Sequence, residues 1–205
     1  MDKLVTLFEK LRLPLSRLIA ASILFSIFTT DSLWARHDPV IGALLLFFGI
    51  VLASIGAFGR MWCSLFIGGY KNNRLVTAGP YSISRNPLYV FSLIGVTGVG
   101  LSTETLFFPG VFLLIFAIYY PFVIKSEEKR LERFFTGDMT RYKKRVPAFF
   151  PKFSLYQEPD EYTTRPATYR FHMLNALWFV WLIGIIQLAL AMRETGLIPH
   201  FWSVY

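Results

Sequence analysis

The sequence predicts an all-α membrane protein, a polytopic helical bundle with about five transmembrane helices. Of its 205 residues, 54% are hydrophobic, 18% are aromatic and only 17% are charged, which is more apolar than a typical soluble domain. A bilayer core about 30 Å thick is crossed by roughly 20 mostly apolar residues in a helix. The apolar runs that approach or reach this length are 18–30, 40–59, 88–102, 106–124 and 172–192.

The first run, 18–30, is the weakest of the five because it is short and follows Arg17. A cleaved signal peptide is the alternative interpretation. The segment after the run, 31–38, is bulky and charged, and it lacks the small-residue pattern of a cleavage site. We therefore predict a retained span here. The runs 40–59, 106–124 and 172–192 are clear spans.

The third run, 88–102, is short, and only the tight segment 102–105 separates it from the fourth. Such a short connection predicts an antiparallel helical hairpin with arms of order 25–30 Å. The hairpin would return Glu127, just beyond its second arm, to the membrane face where 85–89 begins its first arm. We expect the two most polar segments of the chain to meet there.

The distribution of basic residues predicts a cytosolic N-terminus. If each run crosses the membrane once, 19 of the 21 Lys and Arg residues face the cytosol, and only Arg36 and Arg193 lie outside. Cytosolic loops of membrane proteins carry this excess. The two longer loops, 60–87 and 125–171, lie on the same side, so we expect any chemistry at the cytosolic face.

Several kinds of partner are disfavoured by composition. The net charge of +8 is explained by basic loops beside anionic headgroups, and no base-reading elements indicate a nucleic-acid partner. The single cysteine, Cys63, excludes an internal disulfide and a cysteine-rich metal site. The three histidines are far apart in the sequence, so we expect no metal. We predict one membrane domain over 1–205, with the lipid bilayer as its environment.

The glycine-rich stretch GVTGVG, 95–100, resembles a nucleotide-binding loop only superficially. It follows no strand and lies inside an apolar run, so the context of a dinucleotide site is missing. Close packing between helices is the better interpretation.

The segment GPYSISRNPLY, 79–89, is unusually polar for its surroundings. Its opening Gly-Pro predicts a turn, Pro87 fits the first position of a helix, and Asn86 is a good N-cap. The simplest interpretation is a capped membrane helix with a snorkelling Arg85. The alternative is a binding role, because free N–H groups at a helix start can hold an anionic group. Tyr81 and Tyr89 would then flank that point.

The segment SEEKRLERFF, 126–135, places Glu127 and Glu128 directly after an apolar span. They could pair with basic neighbours on the same helix, such as Arg130 and Arg133. The hairpin argument gives a second interpretation, in which one carboxylate faces a cavity shared with Tyr89.

Taken together, LVTAGPYSISRNPLY (75–89) and EEKRLERFFTGDMTRYKKRVPAFFP (127–151) resemble two motif blocks of the isoprenylcysteine carboxyl methyltransferase and phospholipid methyltransferase family. Those proteins show Leu-Val-x-x-Gly-Pro-Tyr, then Arg-His-Pro-x-Tyr, and a Glu-Glu block about forty residues later. The resemblance covers roughly 60–152. The span 172–192 is additional, and its role stays open between a lid near the cofactor, a dimer contact and an anchor.

The resemblance implies a membrane methyltransferase that encloses S-adenosylmethionine at its cytosolic face, without a Rossmann domain, and methylates a lipophilic acceptor. Arg85 and Glu128 are candidate catalytic residues. Pairing of the cofactor's amine with a carboxylate, and attraction of its sulfonium to aromatic faces, are physically plausible. The cofactor-binding residues carried over by position are Asn73, Arg74, Leu75, Val76, Tyr81, Asn86, Pro87, Leu88, Tyr89 and Glu127.

The sequence also departs from the family pattern. Asn86 stands where the family often has histidine, and Phe91 where it usually has glycine. Thr136 and Met139 replace the usual Gly and Tyr of the second block. Prenylcysteine enzymes carry an arginine one turn before the first Glu, and Val123 stands at that position here.

The nearest cation to Val123 in sequence is Lys125, so the acceptor stays open. It could be a prenylcysteine-like carboxylate, methylated on oxygen, or an amine headgroup, methylated on nitrogen. A sterol-reductase-like enzyme with a nicotinamide cofactor is a third possibility. A non-catalytic membrane protein, in which the polar segment only caps a helix, is the fourth.

Overall fold

The computed structural model describes residues 21–22, 24–68, 70, 74–199 and 201–205. Asn73, part of the predicted span 18–30 and the basic residues before it lie outside this range. Residues 24–29 are helical. The elements that follow are β1 (Thr30–Ser32), α1 (Leu33–His37), α2 (Pro39–Ile67), α3 (Pro80–Ile83), α4 (Pro87–Leu101), α5 (Phe107–Phe134), α6 (Asp138–Arg145), a 3₁₀ turn (Phe153–Leu155), α7 (Pro166–Ala176), α8 (Trp178–Glu194) and β2 (Trp202–Val204).

The described part of the chain is mostly helical, as predicted, and three of its helices are long and apolar enough to cross a membrane. They are α2, α5 and the continuous pair α7–α8, Pro166–Glu194. Their outer faces expose large apolar side chains, such as Phe47 (58%), Phe122 (72%) and Trp181 (66%), which indicates contact with lipid. Helix α4 has 15 residues, about 22 Å of rise. It is shorter than the bilayer core, so the count of five spans stays a prediction.

Helices α2 and α4 approach each other so closely that glycines are required at the contact. A Cβ added to Gly56 would lie 2.4 Å from the Cα of Gly95, and one added to Gly98 would lie 2.4 Å from the backbone nitrogen of Ala53. Backbone atoms cannot give way as a flexible side chain can. The stretch 95–100 therefore has a packing role, as the sequence indicated.

The unusual Phe91 is accommodated by a glycine on the neighbouring helix. A Cβ at Gly59 of α2 would lie only 2.0 Å from Cδ1 of the Phe91 ring, and the ring also packs edge-on against Trp62, with centroids 6.2 Å apart. The large Phe91 ring on α4 is thus accommodated by the absence of a side chain at Gly59 on α2.

Helices α4 and α5 form the predicted hairpin. Its turn is closed by local hydrogen bonds in which Ser102 Oγ donates to the carbonyl of Val99 and Thr103 Oγ1 donates to that of Gly100, both at 2.7 Å. The hairpin carries the start of α4 and the end of α5 to the same end of the bundle.

The opposite end is closed by a two-stranded parallel sheet that the all-helical prediction missed. Thr30 pairs with Trp202 and Ser32 with Val204. The carbonyl of Tyr205 then accepts hydrogen bonds from the backbone N–H groups of Leu106 (3.0 Å) and Phe107 (3.1 Å). Strands of three residues are too short to show an alternating pattern, so no pattern along the chain predicts them.

Candidate functional site

A cavity of about 480 Å³ lies at the end of the bundle where α2 ends, α4 begins and the polar end of α5 returns. Its volume falls within the roughly 300–1,000 Å³ of small-molecule sites. Eight predicted cofactor-binding residues line it: Arg74, Leu75, Val76, Tyr81, Asn86, Leu88, Tyr89 and Glu127. Pro87 is buried in the first turn of α4 and does not line it, and Asn73 lies outside the described residues. The binding role of these residues stays a prediction.

The hydroxyl of Tyr81 is a buried polar group beside the cavity. Tyr81 is only 6% exposed, it lines the cavity, and its hydroxyl has no hydrogen-bond partner among the described residues. Burial raises the pKa of Tyr81, so the hydroxyl is neutral and can both donate and accept. A buried hydroxyl without a partner is costly, and this one is enclosed by protein, so a ligand in the cavity would reach it only after a local shift of side chains.

Tyr142 fixes the backbone of Tyr81 from the other side. Its hydroxyl donates to the carbonyl of Tyr81 at 2.5 Å, and burial raises the pKa of Tyr142, which keeps it a donor. Tyr142 lies in the second motif block, 127–151, but its basic neighbours were interpreted only as a segment beside anionic lipid headgroups. Tyr142 also lines the cavity.

Glu127 and Tyr89 meet across the hairpin, as predicted. The Glu127 carboxylate interacts with the Tyr89 hydroxyl, and both side chains line the cavity. Arg130 forms a long ion pair with Glu127 at 3.8 Å, and the Glu127 side chain stays 39% exposed. This carboxylate is therefore only weakly engaged and accessible from the cavity.

Glu128 has a different role from its neighbour. It is not among the residues that line the cavity, and its Oε1 accepts a hydrogen bond of 2.8 Å from Nε of Arg85. The side chains of Arg85 and Glu128 are only 12% and 13% exposed. Successive helix positions differ by about 100°, so one glutamate of the pair faces the cavity and the other faces the protein.

Arg85 joins three parts of the chain. Besides Glu128 on α5, its guanidinium Nη1 donates to the carbonyls of Val146 (2.7 Å) and Lys143 (3.1 Å) at the end of α6. Arg85 also lines the cavity, but this network engages Nε and Nη1. The interpretation of Arg85 as a snorkelling residue is wrong, because its charge is directed inward to a buried carboxylate.

Lys143 completes the charge network around Glu128. Its Nζ lies 3.2 Å from Oε2 of Glu128 and 2.7 Å from Oε1 of Glu132. The hydrogen bond to Glu132 is the main reason why the pKa of Lys143 is raised. Of the partners expected on the same helix, Arg130 pairs with Glu127, whereas the ion pairs of Glu128 among the described residues are with Arg85 and Lys143.

The polar segment 79–86 is fastened to the segment after α6 by side chains that donate to backbone carbonyls. Asn86 Nδ2 donates to Ala148 (2.8 Å), and Ser84 Oγ donates to Phe149 (2.9 Å). Asn86 occupies the N-cap position of α4, but its side chain makes no cap hydrogen bond. The predicted capping interaction is wrong, because the amide is engaged by the crossing segment.

The C-terminal helix supplies a wall that no motif predicted. Arg165, Thr168 and His172, at the start of α7 and along it, line the cavity. The segment before α7 is tied to the end of α2, where the Tyr162 hydroxyl donates to the carbonyl of Phe66 at 2.8 Å. Of the roles left open for the C-terminal span, a position beside the site agrees with the structure.

The chain resembles two bacterial proteins along most of its length. The cobalt-zinc-cadmium resistance protein CzcN of Cupriavidus metallidurans is 38% identical over 169 residues, which cover 82% of this chain and 75% of that protein. The nickel-cobalt-cadmium resistance protein NccN of Alcaligenes xylosoxydans xylosoxydans is 34% identical over 190 residues, which cover 93% of this chain and 88% of that protein. No solved structure matches the chain. Residues 38–138 match the phospholipid methyltransferase family, and the chain belongs to this family of membrane methyltransferases.

Proposed function

We propose that the protein binds S-adenosylmethionine in the cavity described above and methylates a lipophilic acceptor that enters from the bilayer. The observation that carries this proposal is the accessible Glu127 carboxylate beside Tyr89 on the walls of one cavity, which Tyr81 also lines. Family membership supports the reaction class. The excess of basic residues at this end of the bundle supports a cytosolic site.

The residues present fit this cofactor. When bound, S-adenosylmethionine supplies an electrophilic methyl group on a sulfonium. Glu127 carries the negative charge that suits an amine, and the Tyr81 hydroxyl can hydrogen-bond a polar group. Tyr89 offers an aromatic face to a cation. The half-buried apolar wall made by Leu75 and Leu88 limits the access of water.

A carboxylate acceptor needs no acid or base, because methyl transfer then depends mainly on in-line placement and exclusion of water. An amine headgroup must lose a proton to act as the nucleophile, and this proton would pass to water at the open side of the cavity. Glu128 is committed to Arg85 and Lys143, so we propose that the Arg85–Glu128 pair positions the cavity walls and does not itself react. The acceptor group is proposed to be a prenylcysteine-type carboxylate or an amine headgroup.

The cofactor proposal predicts that Glu127→Gln weakens binding of S-adenosylhomocysteine by about 10- to 100-fold, since hydrogen bonds to charged groups contribute roughly 1.5–3 kcal/mol. Calorimetry on the detergent-purified chain would measure this. Glu161→Gln is the matched control, because Glu161 is exposed and does not line the cavity; its binding should equal that of the wild type.

Two results would contradict the proposal. The first is no S-adenosylhomocysteine binding by wild-type protein that elutes as a single folded species. The second is saturable binding of NADPH by the same protein, which would favour the reductase-like alternative.

We also propose that the methylation raises tolerance to divalent metals, because two similar proteins are named for resistance to them. A metal-sensitive bacterial host expressing the wild-type chain should then grow at higher cobalt or cadmium than one expressing Glu127→Gln at equal protein levels. Equal growth of the two strains would show that metal tolerance does not depend on the proposed methylation.

A further inference from the structure

Besides Arg85, a second arginine, Arg60 of α2, lies deeper in the bundle than the cavity. Arg60 is partly buried and lies seven residues before the helix ends at Ile67, about 10 Å along the axis. Its Nη1 donates to the Ser92 hydroxyl on α4. The guanidinium carbon lies 5.9 Å from the ring centroid of Phe179 on α8, so three helices surround the charge.

Arg60 has no carboxylate within ion-pair distance in the part of the chain that the structure describes. The ionisable side chains that act on it are Tyr120, Cys63 and Tyr81, all of which are ordinarily neutral. Arg85 differs in this respect, because it is paired with Glu128.

A cation among apolar helices is costly unless an anion accompanies it. One hydroxyl and one aromatic face leave most of the five N–H donors of a guanidinium available. The planar fork of these donors matches the oxygens of a carboxylate or a phosphate. Arg60 is therefore equipped to hold an anionic group that is not part of the described protein.

The position of Arg60 connects it to the cavity. The Ser92 hydroxyl donates to the carbonyl of Leu88 at 2.6 Å, and Leu88 lines the cavity. Tyr120 packs edge-on against Tyr89, with ring centroids 5.1 Å apart, and Tyr89 lines the cavity as well. An anion at Arg60 would lie near Ser92, about one turn along α4 from Leu88 on the cavity wall.

We propose that Arg60 is the anion-binding residue of the acceptor site, and that it holds the carboxylate or phosphate of a lipid whose tail lies along the apolar helices. This proposal rests on the proposed function, because the anion site would define which class of acceptor the proposed methyl transfer uses. A carboxylate lipid and an aminophospholipid share the anionic oxygens that Arg60 would bind.

The test is lipid binding to the detergent-purified full chain, measured by thermophoresis with two matched pairs of probes. N-acetyl-S-farnesylcysteine, a carboxylate, is compared with its neutral methyl ester. Dioctanoyl phosphatidylethanolamine, a zwitterion whose anionic group is its phosphate, is compared with dioctanoylglycerol, which lacks the headgroup, and the Arg60 variants show whether the difference comes from the phosphate. Arg60→Gln should weaken binding of at least one anionic probe about tenfold, and Arg60→Lys should weaken it less, because lysine keeps the charge. Arg133→Gln on exposed Arg133 should bind like the wild type.

The probes distinguish the sources of the anion. Arg60-dependent binding of the carboxylate alone assigns a prenylcysteine-like acceptor, and Arg60-dependent binding of the phosphate alone assigns an aminophospholipid. Equal binding of the neutral and anionic probes, or unchanged binding in Arg60→Gln, overturns the proposal.

Calorimetry of S-adenosylhomocysteine on the same preparations keeps this test separate from the cofactor test. Normal cofactor binding in Arg60→Gln would show that the variant is folded. If the wild type fails to bind S-adenosylhomocysteine but binds an anionic lipid through Arg60, the methyltransferase proposal fails and the anion site stands.

Discussion

Arg85→Met is expected to destabilise the protein by up to roughly 3–5 kcal/mol, the cost of breaking a fully buried ion pair from one side, because this pair is largely shielded from solvent. The substitution leaves Glu128, only 13% exposed, with Lys143 as its remaining cation. It also removes the donor to the carbonyls of Lys143 and Val146. For a chain of about this length the loss corresponds to a fall of roughly 6–20 °C in thermal midpoint, which heating followed by size-exclusion chromatography would detect.

Two further variants make the interpretation specific. Arg141 pairs with Asp138, but their side chains are 83% and 62% exposed, so Arg141→Met should have little effect. The double variant Arg85→Met/Glu128→Leu should recover part of the loss, because no buried carboxylate is left behind. If the single and double variants are equally unstable, the lost hydrogen bonds to the α6 carbonyls explain the effect and the ion pair does not.

Gly56→Leu is expected to prevent α2 and α4 from packing and to give little folded protein. Even the first added carbon would lie 2.4 Å from the Cα and 2.6 Å from the nitrogen of Gly95, and both are backbone atoms. The helices would have to separate along their whole contact, which includes the neighbouring close approach at Gly98. Gly56→Ala should already lower the thermal midpoint, and the yield of monodisperse protein would rank the variants.

The chain supplies controls for this prediction. A Cβ at Gly110 in α5 or at Gly184 in α8 would meet no atom within 4 Å. Alanine at either position should leave stability unchanged or raise it slightly, since alanine is the better helix former. A Gly56→Ala protein as stable as Gly184→Ala would contradict the close crossing of α2 and α4.

Nine of the residues that line the cavity were predicted, and some of them, such as Arg74, Leu75 and Val76, came only from the resemblance to the family. The meeting of Glu127 and Tyr89 followed from the chain itself, because the short link at 102–105 joins two apolar runs that each border a polar stretch. Local pattern and one tight turn therefore predict how these two segments come together.

The remaining features depend on partners that are distant in sequence. Arg85 binds carbonyls of residues near 145, and Asn86 binds Ala148 instead of capping its own helix. A carbonyl leaves no mark on the side-chain sequence, so such partners cannot be predicted from residue types. Which of Glu127 and Glu128 faces the cavity also depends on the rotation of α5, which the apolar run alone does not define.

The fastening of 79–86 to the segment after α6 has a consequence for how this protein can vary. The donors are particular side chains, those of Ser84, Arg85 and Asn86, whereas most acceptors are main-chain oxygens between 143 and 149. Every residue type provides such an oxygen. Substitutions should therefore be tolerated better at the exposed Lys144 and Arg145 than at the three donors, provided that the path of the backbone is kept. Lys143 and Val146 are more constrained, because the Lys143 side chain pairs with Glu128 and the Val146 side chain is buried. The exposed positions can diversify while the geometry of the cavity wall is inherited unchanged.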